Sequence, residues 1–164
     1  SNVDGHFQKA GFEESRVYEV HGTLERQQCV ENCRGLSWQA VDFYPEVDNE
    51  KLYLTSEKPR YPYCGGLARQ NVLMFNDWTY FSNYQDFKKL RLYAWLKEVE
   101  NLVVIELEAG KAIPTVRYFS ERTAKMKKGG FIRINPQDAS VPKMHFLSLE
   151  MTAFAALKAI DELL

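Results

Sequence analysis

The pair His21-Gly22 is the first place in the sequence where a side chain could do acid–base chemistry. It follows an alternating apolar and polar stretch, residues 17–20, which predicts a half-buried strand. An imidazole titrates near neutral pH, and ligands bind open α/β sheets at the carboxyl ends of strands. His21 is therefore a candidate general base, with a structural histidine as the alternative.

The three cysteines form a second candidate site, whose chemistry would be metal binding. Cys29 and Cys33 are separated by three residues, and Cys64 follows further along the chain. This spacing resembles a zinc module, in which four ligands usually surround the metal. Tyr61 occupies the position expected for the fourth ligand. The sequence is consistent either with a zinc site at Cys29, Cys33 and Cys64 or with three reduced thiols and no metal.

Two later segments could contact a nucleotide. The apolar run 102–105 leads through small residues to a predicted helix, and helix N-termini attract phosphate. Glu106 and Glu108 lie in this segment and would repel a phosphate that faced them. Asn135 ends a later predicted strand, where its amide could bind a ribose hydroxyl or start a turn before Pro136.

The elements that would position these residues change in character along the chain. Residues 6–10 predict a short helix ending at Gly11. Residues 25–68 contain all three cysteines and no sustained helical pattern, which predicts a small irregular module with β-like pieces at 38–45 and 51–55.

Strands and helices alternate after Arg69. The predicted strands are 71–75, 101–107 and 129–136, and the predicted helices are 83–99, 112–126 and 151–164. In the first of these helices one face is predicted to carry Phe87, Leu90, Ala94 and Trp95. This alternation predicts βαβ units and a parallel sheet.

The composition narrows the classes of function. The 164 residues are 45% hydrophobic and 26% charged, which is typical of a globular domain. The net charge is -1, so general attraction to nucleic acid or anionic lipid is not expected. The apolar runs are too short to span a bilayer. Three cysteines cannot all pair within the chain, which argues against a secreted disulfide framework and favours a cytoplasmic protein.

The order of the motifs resembles the sirtuin (Sir2) family of NAD-dependent protein deacylases, in a divergent form similar to some bacterial proteins. The similarity covers essentially the whole chain and is strongest at Asn2-Val3-Asp4-Gly5, at His21-Gly22, at 65–75 and at Asn135. It corresponds to roughly the C-terminal two-thirds of a sirtuin core. The family's N-terminal glycine-rich strand and loop would lie outside these residues, so this part alone is expected to be inactive.

The resemblance implies a fold and a domain organisation. Residues 1–24 and 69–164 would form a Rossmann-like parallel sheet with flanking helices, an incomplete NAD-binding domain. Residues 25–68 would form a zinc-ribbon-like module inserted into it. The cofactors implied are NAD and, at the cysteines, zinc.

The resemblance also implies roles for individual residues. His21 would match the base that activates a hydroxyl of the nicotinamide ribose, and Asn2 would orient that ribose. Val3 and Asp4 would match the pocket for the nicotinamide amide. The adenosine side of NAD would be contacted by Ala109 and Asn135. The acyl-lysine protein or peptide would pair by β-addition with Val72, Leu73 and Phe75.

The sequence departs from the family's pattern in the spacing of Cys29 and Cys33, which are separated by three residues rather than two, and at four further places. Ser1 replaces a glutamine, and Leu107-Glu108-Ala109 replaces a glycine-threonine-serine turn. Phe75-Asn76-Asp77 replaces Phe-Gly-Glu, and Tyr61 replaces a zinc cysteine.

Several functions remain open at this stage. The first is removal of acyl groups from protein lysines, with release of nicotinamide and O-acyl-ADP-ribose. The second is a module that binds NAD or ADP-ribose without turnover. NAD hydrolysis or ADP-ribosyl transfer is a related enzymatic alternative, and a structural α/β protein is the last.

Overall fold

The computed structural model describes residues 2–41, 43–142 and 146–163. The chain divides into two compact units, one through Lys97 and one from Glu98 onward. Among the described residues, no helix has the length and apolar character needed to cross a membrane.

The first unit is built on an antiparallel sheet. Its central strand β1, Gly22–Cys29, pairs on one side with β2, Ser37–Gln39. On its other side β1 pairs with Ala68–Val72, a strand from further along the chain. A short hairpin joins β3, Val47–Asp48, to β4, Tyr53–Leu54.

Three further elements belong to this unit. Helix α1, His6–Lys9, precedes the sheet, and strand β5, Ala68–Val72, follows the hairpin. Helix α2, Asn83–Glu98, comes last. Within the sheet, a buried pair of amides joins β5 to β1, because Asn71 Nδ2 donates to Gln28 Oε1 at 2.8 Å.

The second unit contains a parallel sheet in the order β6-β7-β8. The strands are β6, Val103–Leu107, β7, Gly130–Ile134, and β8, Leu147–Leu149. Helix α3, Thr115–Lys127, connects β6 to β7, and helix α4, Ala153–Asp161, follows β8. Ala124, Phe131 and Phe146 form its apolar core. The predicted α/β class with a parallel sheet is confirmed.

Three expectations about local structure are wrong. Residues 17–20 are not a strand, and the polar Glu19 is the buried residue of this segment because it pairs with the buried Lys88. The strand predicted at 71–75 is β5, which ends at Val72 and leaves Phe75 84% exposed. The face of α2 predicted to be apolar is exposed, and the buried residues of this helix are Gln85, Lys88 and Leu96.

Candidate functional site

His21 lies in a turn immediately before β1, not at the end of a strand as expected. The Gly22 N–H donates to Glu19 O at 3.0 Å and closes this turn. Gly22 has φ +87°, and a Cβ there would stand 2.1 Å from Asn71 O. Because only glycine fits this close approach of two backbones, the half-buried His21 is held against the end of β5.

The segment Asn2–Asp4 lies beside the same end of β1. Val3 O accepts a hydrogen bond from Leu24 N at 2.8 Å. Asp4 Oδ1 accepts from the His6 N–H at 3.2 Å, so this carboxylate sits over the start of α1, and Asn2 is exposed. Ser1 is outside the described residues. The structure therefore brings the predicted residues Asn2, Val3, Asp4 and His21 to one end of the strand.

The predicted peptide-binding residues meet this site through the backbone. Leu73 N donates to His21 O at 2.9 Å, and Val72 pairs with Gly22. Leu73 and Phe75 are exposed, as residues that receive a peptide would need to be. Their binding role stays a prediction.

Two departures from the family pattern are compensated just after these residues. Asn76 adopts φ 54°, a left-handed conformation that asparagine tolerates better than most residues. Both carboxylate oxygens of Asp77 accept hydrogen bonds from Arg69 Nη2, at 2.8 Å for Oδ1 and 2.7 Å for Oδ2. Burial would raise the pKa of Asp77, but the Met74 N–H and the Arg69 guanidinium outweigh it and hold the pKa below its usual value.

An ionic cluster around the buried Lys88 supports the His21 turn, and sequence reasoning missed it. Lys88 Nζ lies 3.4 Å from Glu19 Oε2, and both side chains are 6% exposed. Lys88 also contacts Glu14, which accepts a hydrogen bond from the Tyr84 hydroxyl at 2.7 Å. Burial would lower the pKa of Lys88, but its carboxylate partners raise it overall. The spacing of Tyr84 and Lys88, one helical turn apart, is the only sequence signal for this cluster.

In the second unit the structure brings Ala109 and Asn135 together. Asn135 Nδ2 donates to Ala109 O at 3.3 Å. Its Oδ1 accepts from the N–H groups of Gln137 and Asp138, at 3.0 and 2.8 Å. The buried Asn135 thus organises the loop after β7 from within, and its contact with a ribose stays a prediction.

The two glutamates expected to repel phosphate are both engaged within the fold. Glu106 is buried and accepts from Arg133 Nε at 2.5 Å and Nη2 at 3.1 Å. Glu108 Oε1 accepts from Ala153 N at 2.9 Å, at the first residue of α4. Negative charge is favourable at a helix N-terminus, so the added acid at Glu108 has a structural role.

The three cysteines form the group of potential metal ligands in the described part of the chain, with ligand atoms within 4.8 Å of one another. A tetrahedral zinc ion with Zn–S bonds of about 2.3 Å separates its sulfurs by about 3.8 Å. The Sγ atoms of Cys29 and Cys64 are 3.9 Å apart. The backbone N–H of Cys33 lowers the pKa of the Cys29 thiol, although burial opposes this shift. The donor set therefore fits a zinc ion.

Tyr61, at the fourth position, is almost completely buried. Its ring packs against Trp38 and Tyr63, with centroids 5.0 and 5.4 Å away. Its hydroxyl has no hydrogen-bond partner among the described residues, the thiols included. The structure thus gives Tyr61 a packing role.

Comparison with known sequences points to one family. The model of the Sir2 family matches residues 1–106. An NAD-dependent protein deacetylase 2 from Caldanaerobacter subterraneus subsp. tengcongensis is 33% identical over 76 residues, which cover 46% of this chain and 27% of that protein. A probable bifunctional ADP-ribose hydrolase/ADP-ribosyltransferase from Fusarium oxysporum f. sp. cubense is 26% identical over 146 residues, which cover 82% of this chain and 24% of that protein. The matches span about a quarter of each curated relative.

Solved structures share the fold. A mutant Sir2 homologue in complex with ADP-ribose has a TM-score of 0.65 and 20% identity, covering 98% of this chain and 56% of that chain. A Sir2 homologue in complex with NAD gives 0.64 and 21%, with coverage of 98% and 55%. A Sir2 protein bound to a propionylated peptide gives 0.67 and 19%, with coverage of 98% and 60%.

Proposed function

Since the chain belongs to the Sir2 family, we propose that it forms part of an NAD-dependent protein-lysine deacylase and contributes the general base, His21. The observation that carries this proposal is the convergence of three segments at the start of β1. Val3 bonds to Leu24, and His21 bonds to Leu73, so the Asn2–Asp4 segment, the histidine and the proposed peptide strand adjoin.

The residues of this chain would then divide the work of binding and proton transfer. The His21 imidazole would accept a proton from a ribose hydroxyl, and Asn2 would orient that ribose. Asp4 would bind the nicotinamide amide beside Val3. Asn135 and Ala109 would contact the adenosine side of the cofactor. NAD, when bound, would supply the bond to nicotinamide whose cleavage drives acyl transfer from lysine to ADP-ribose.

The acyl-lysine peptide would be bound by main-chain pairing. Leu73 and the exposed Phe75 continue from β5, and an extended peptide can add to such an edge. The Arg69–Asp77 ion pair would hold this segment in place, because it links β5 to the residue two positions after Phe75. Zinc would be held by the thiolates of Cys29, Cys33 and Cys64, which are preferred protein ligands of zinc.

NAD hydrolysis or ADP-ribosyl transfer is the second candidate. It is motivated by the Fusarium relative, whose similarity covers 82% of this chain. Both candidates require cleavage of the bond to nicotinamide. They differ in the group that then accepts the ADP-ribosyl unit. A module that binds NAD without turnover is the third candidate.

The test measures nicotinamide release from NAD by the complete gene product that carries this chain, with and without an acetyl-lysine peptide. A deacylase releases nicotinamide only when the peptide is present. His21→Ala should reduce this rate about 100- to 10,000-fold, the usual contribution of a general base. Asn49→Ala, in an exposed turn between β3 and β4, is the control.

The possible results separate the candidates. Release that does not depend on the peptide would favour hydrolysis or ADP-ribosyl transfer. NAD binding by calorimetry without any product would favour the binding module. Full activity of His21→Ala would contradict the role of this histidine.

A further inference from the structure

We propose that the cysteine cluster, Cys29, Cys33 and Cys64, holds its metal with three protein ligands and an open fourth position that binds an exogenous small thiol or water. This inference rests on the zinc binding proposed above and goes beyond it, because it assigns a ligand-exchange site to a metal centre. In this arrangement Tyr61 is not a ligand of the metal.

The described residues offer no fourth protein ligand. Within residues 2–41, 43–142 and 146–163, no histidine, aspartate or glutamate joins the three thiols in a group of possible metal ligands. Only the oxygen of Tyr61 remains to be considered, since this residue occupies the position where the motif predicts a ligand.

The geometry of Tyr61 argues against coordination. A phenolic oxygen bonded to zinc at about 2.0 Å would lie about 3.5 Å from each sulfur of a tetrahedral site. A hydroxyl at that distance would be a hydrogen-bond partner of the thiols, yet among the residues that the structure describes the Tyr61 hydroxyl has no partner. The backbone is fixed on both sides, because Tyr61 N donates to Gly66 O at 2.8 Å and Gly65 N donates to Tyr61 O at 2.9 Å.

The packing of the Tyr61 ring opposes a movement that would bring its oxygen to the metal. The ring lies against Trp38 and Tyr63, and the residue is 1% exposed. Such a movement would break these contacts and leave a cavity, which costs several kcal/mol for an aromatic side chain. Tyr61 therefore forms the buried wall of the site.

The opposite side of the cluster is open to solvent. Cys33 and Cys64 are exposed, whereas Cys29 is buried. Next to Cys64, a Cβ placed on Gly65 would meet no atom within 4 Å. A small ligand can reach the metal from this side. The exposed Arg34 follows Cys33 and would favour a ligand that carries negative charge, such as a thiolate.

The chemistry of zinc supports exchange at this position. Zinc sites with three protein ligands keep a water or a substrate atom in the fourth position, and zinc prefers thiolate sulfur among protein donors. A small thiol should therefore replace the water and complete a four-sulfur shell. Metal retention should then increase with thiol concentration.

The test replaces the metal by Co²⁺ in the 164-residue chain, with a phosphine as the reductant so that no thiol is added. The d–d and sulfur-to-cobalt absorption bands report the number of thiolate ligands. We expect 2-mercaptoethanol to shift the d–d bands and to increase the charge-transfer absorption in a saturable titration. Cys33→Ala should weaken Co²⁺ binding and change the spectrum before any thiol is added.

Tyr61→Phe decides the role of the tyrosine, and Tyr63→Phe, at an exposed neighbouring ring, is its matched control. Loss of even a residue that hydrogen-bonds a metal ligand typically weakens metal binding about 10- to 100-fold. We expect both variants to keep the wild-type spectrum and affinity. A changed spectrum in Tyr61→Phe alone, without a thiol response in the wild type, would show that Tyr61 is the fourth ligand.

Failure of the metal site itself gives a different result. If the wild-type chain does not bind Co²⁺ or Zn²⁺, the proposed metal site is wrong and the open position with it. If Co²⁺ binds with thiolate bands that 2-mercaptoethanol does not alter, the metal site stands and the open position is wrong.

Discussion

The segment 69–79 and the surroundings of the cysteine cluster both depart from the pattern of the family. Contacts within the fold compensate the first departure but not the second. In the segment 69–79, Asp77 accepts five hydrogen bonds from Arg69, Met74 and Thr79. Beside the cysteine cluster, the hydroxyl of Tyr61 has no hydrogen-bond partner among the described residues.

This difference shows which replacements a fold can absorb. An ion pair tolerates a shorter acid because the long arginine side chain can reach it, and a left-handed turn tolerates asparagine in place of glycine. A metal ligand must place one atom at a fixed distance in a fixed direction, and a tyrosine ring cannot do this from the position of a cysteine. We therefore expect the segment 69–79 to keep its structural role and the cluster to have lost one ligand.

Asp77→Asn should produce the largest change among the substitutions that test this contrast. It removes one charge of a pair whose side chains are 6% and 15% exposed, and leaves the Arg69 guanidinium without its counter-ion. Such a loss typically costs about 3 kcal/mol of unfolding free energy. Urea denaturation followed by tryptophan fluorescence measures it. Asp77→Glu, which keeps the charge, should lose much less, and equal stability of Asp77→Asn and the wild type would refute the role of the pair.

The effect of Asp77→Asn should depend on pH. The pKa of Asp77 in the folded chain is lowered, so its stabilisation is complete above the ordinary carboxyl pKa of about 3.9 and is lost as the pH falls through the folded value. The wild type and Asp77→Asn should therefore differ fully at pH 7 and converge in acid. A difference that persists unchanged to pH 2 would mean that packing, not charge, stabilises the segment.

A smaller effect is expected from removing one hydroxyl from each of two tyrosines. Tyr61→Phe removes a buried hydroxyl that has no partner in the described part of the chain, so it should leave the unfolding free energy unchanged or raise it by up to about 1 kcal/mol. Tyr84→Phe removes a donor to Glu14 at 2.7 Å and should cost about 1 kcal/mol. Thermal unfolding of the metal-free chain measures both. A clear destabilisation by Tyr61→Phe would indicate that its hydroxyl makes a bond that stabilises the fold.

Asn76 should give the smallest effect. Asn76→Gly relieves the left-handed conformation at φ 54° and should change stability by less than about 1 kcal/mol. Asn76→Ala should cost about 1 kcal/mol, because alanine tolerates this conformation poorly. Gly65→Ala is the matched control next to the cysteine cluster, because Gly65 has φ +68° and an added Cβ would meet open space. A larger loss for Asn76→Ala than for Gly65→Ala would show that the asparagine side chain also contributes.

The sequence predicted the elements with regular periodicity well and the isolated contacts poorly. The helices at 115–127 and 153–161 and the parallel strands at 103–107 and 130–134 follow from local patterns of apolar residues. The helix at 83–98 was also predicted, but the apolar face used to predict it is exposed. His21 was expected at the end of a strand but lies just before one. The alternation at 17–20 is equally compatible with a strand and with a segment packed on a helix. The buried Lys88 was missed, since charged residues are assigned to the surface unless a partner is known.

The sequence by itself determined the family and the candidate residues, because the order of motifs and their residue types are written along the chain. Only the tertiary structure decided what those residues contact. Glu106 and Glu108 are engaged by Arg133 and by the start of α4, and Asn135 bonds to Ala109. These partners are far apart in sequence, so their contacts depend on how the strands pair. The same reason applies to Tyr61: its position between two cysteine-bearing segments is visible in the sequence, but the direction of its hydroxyl is not.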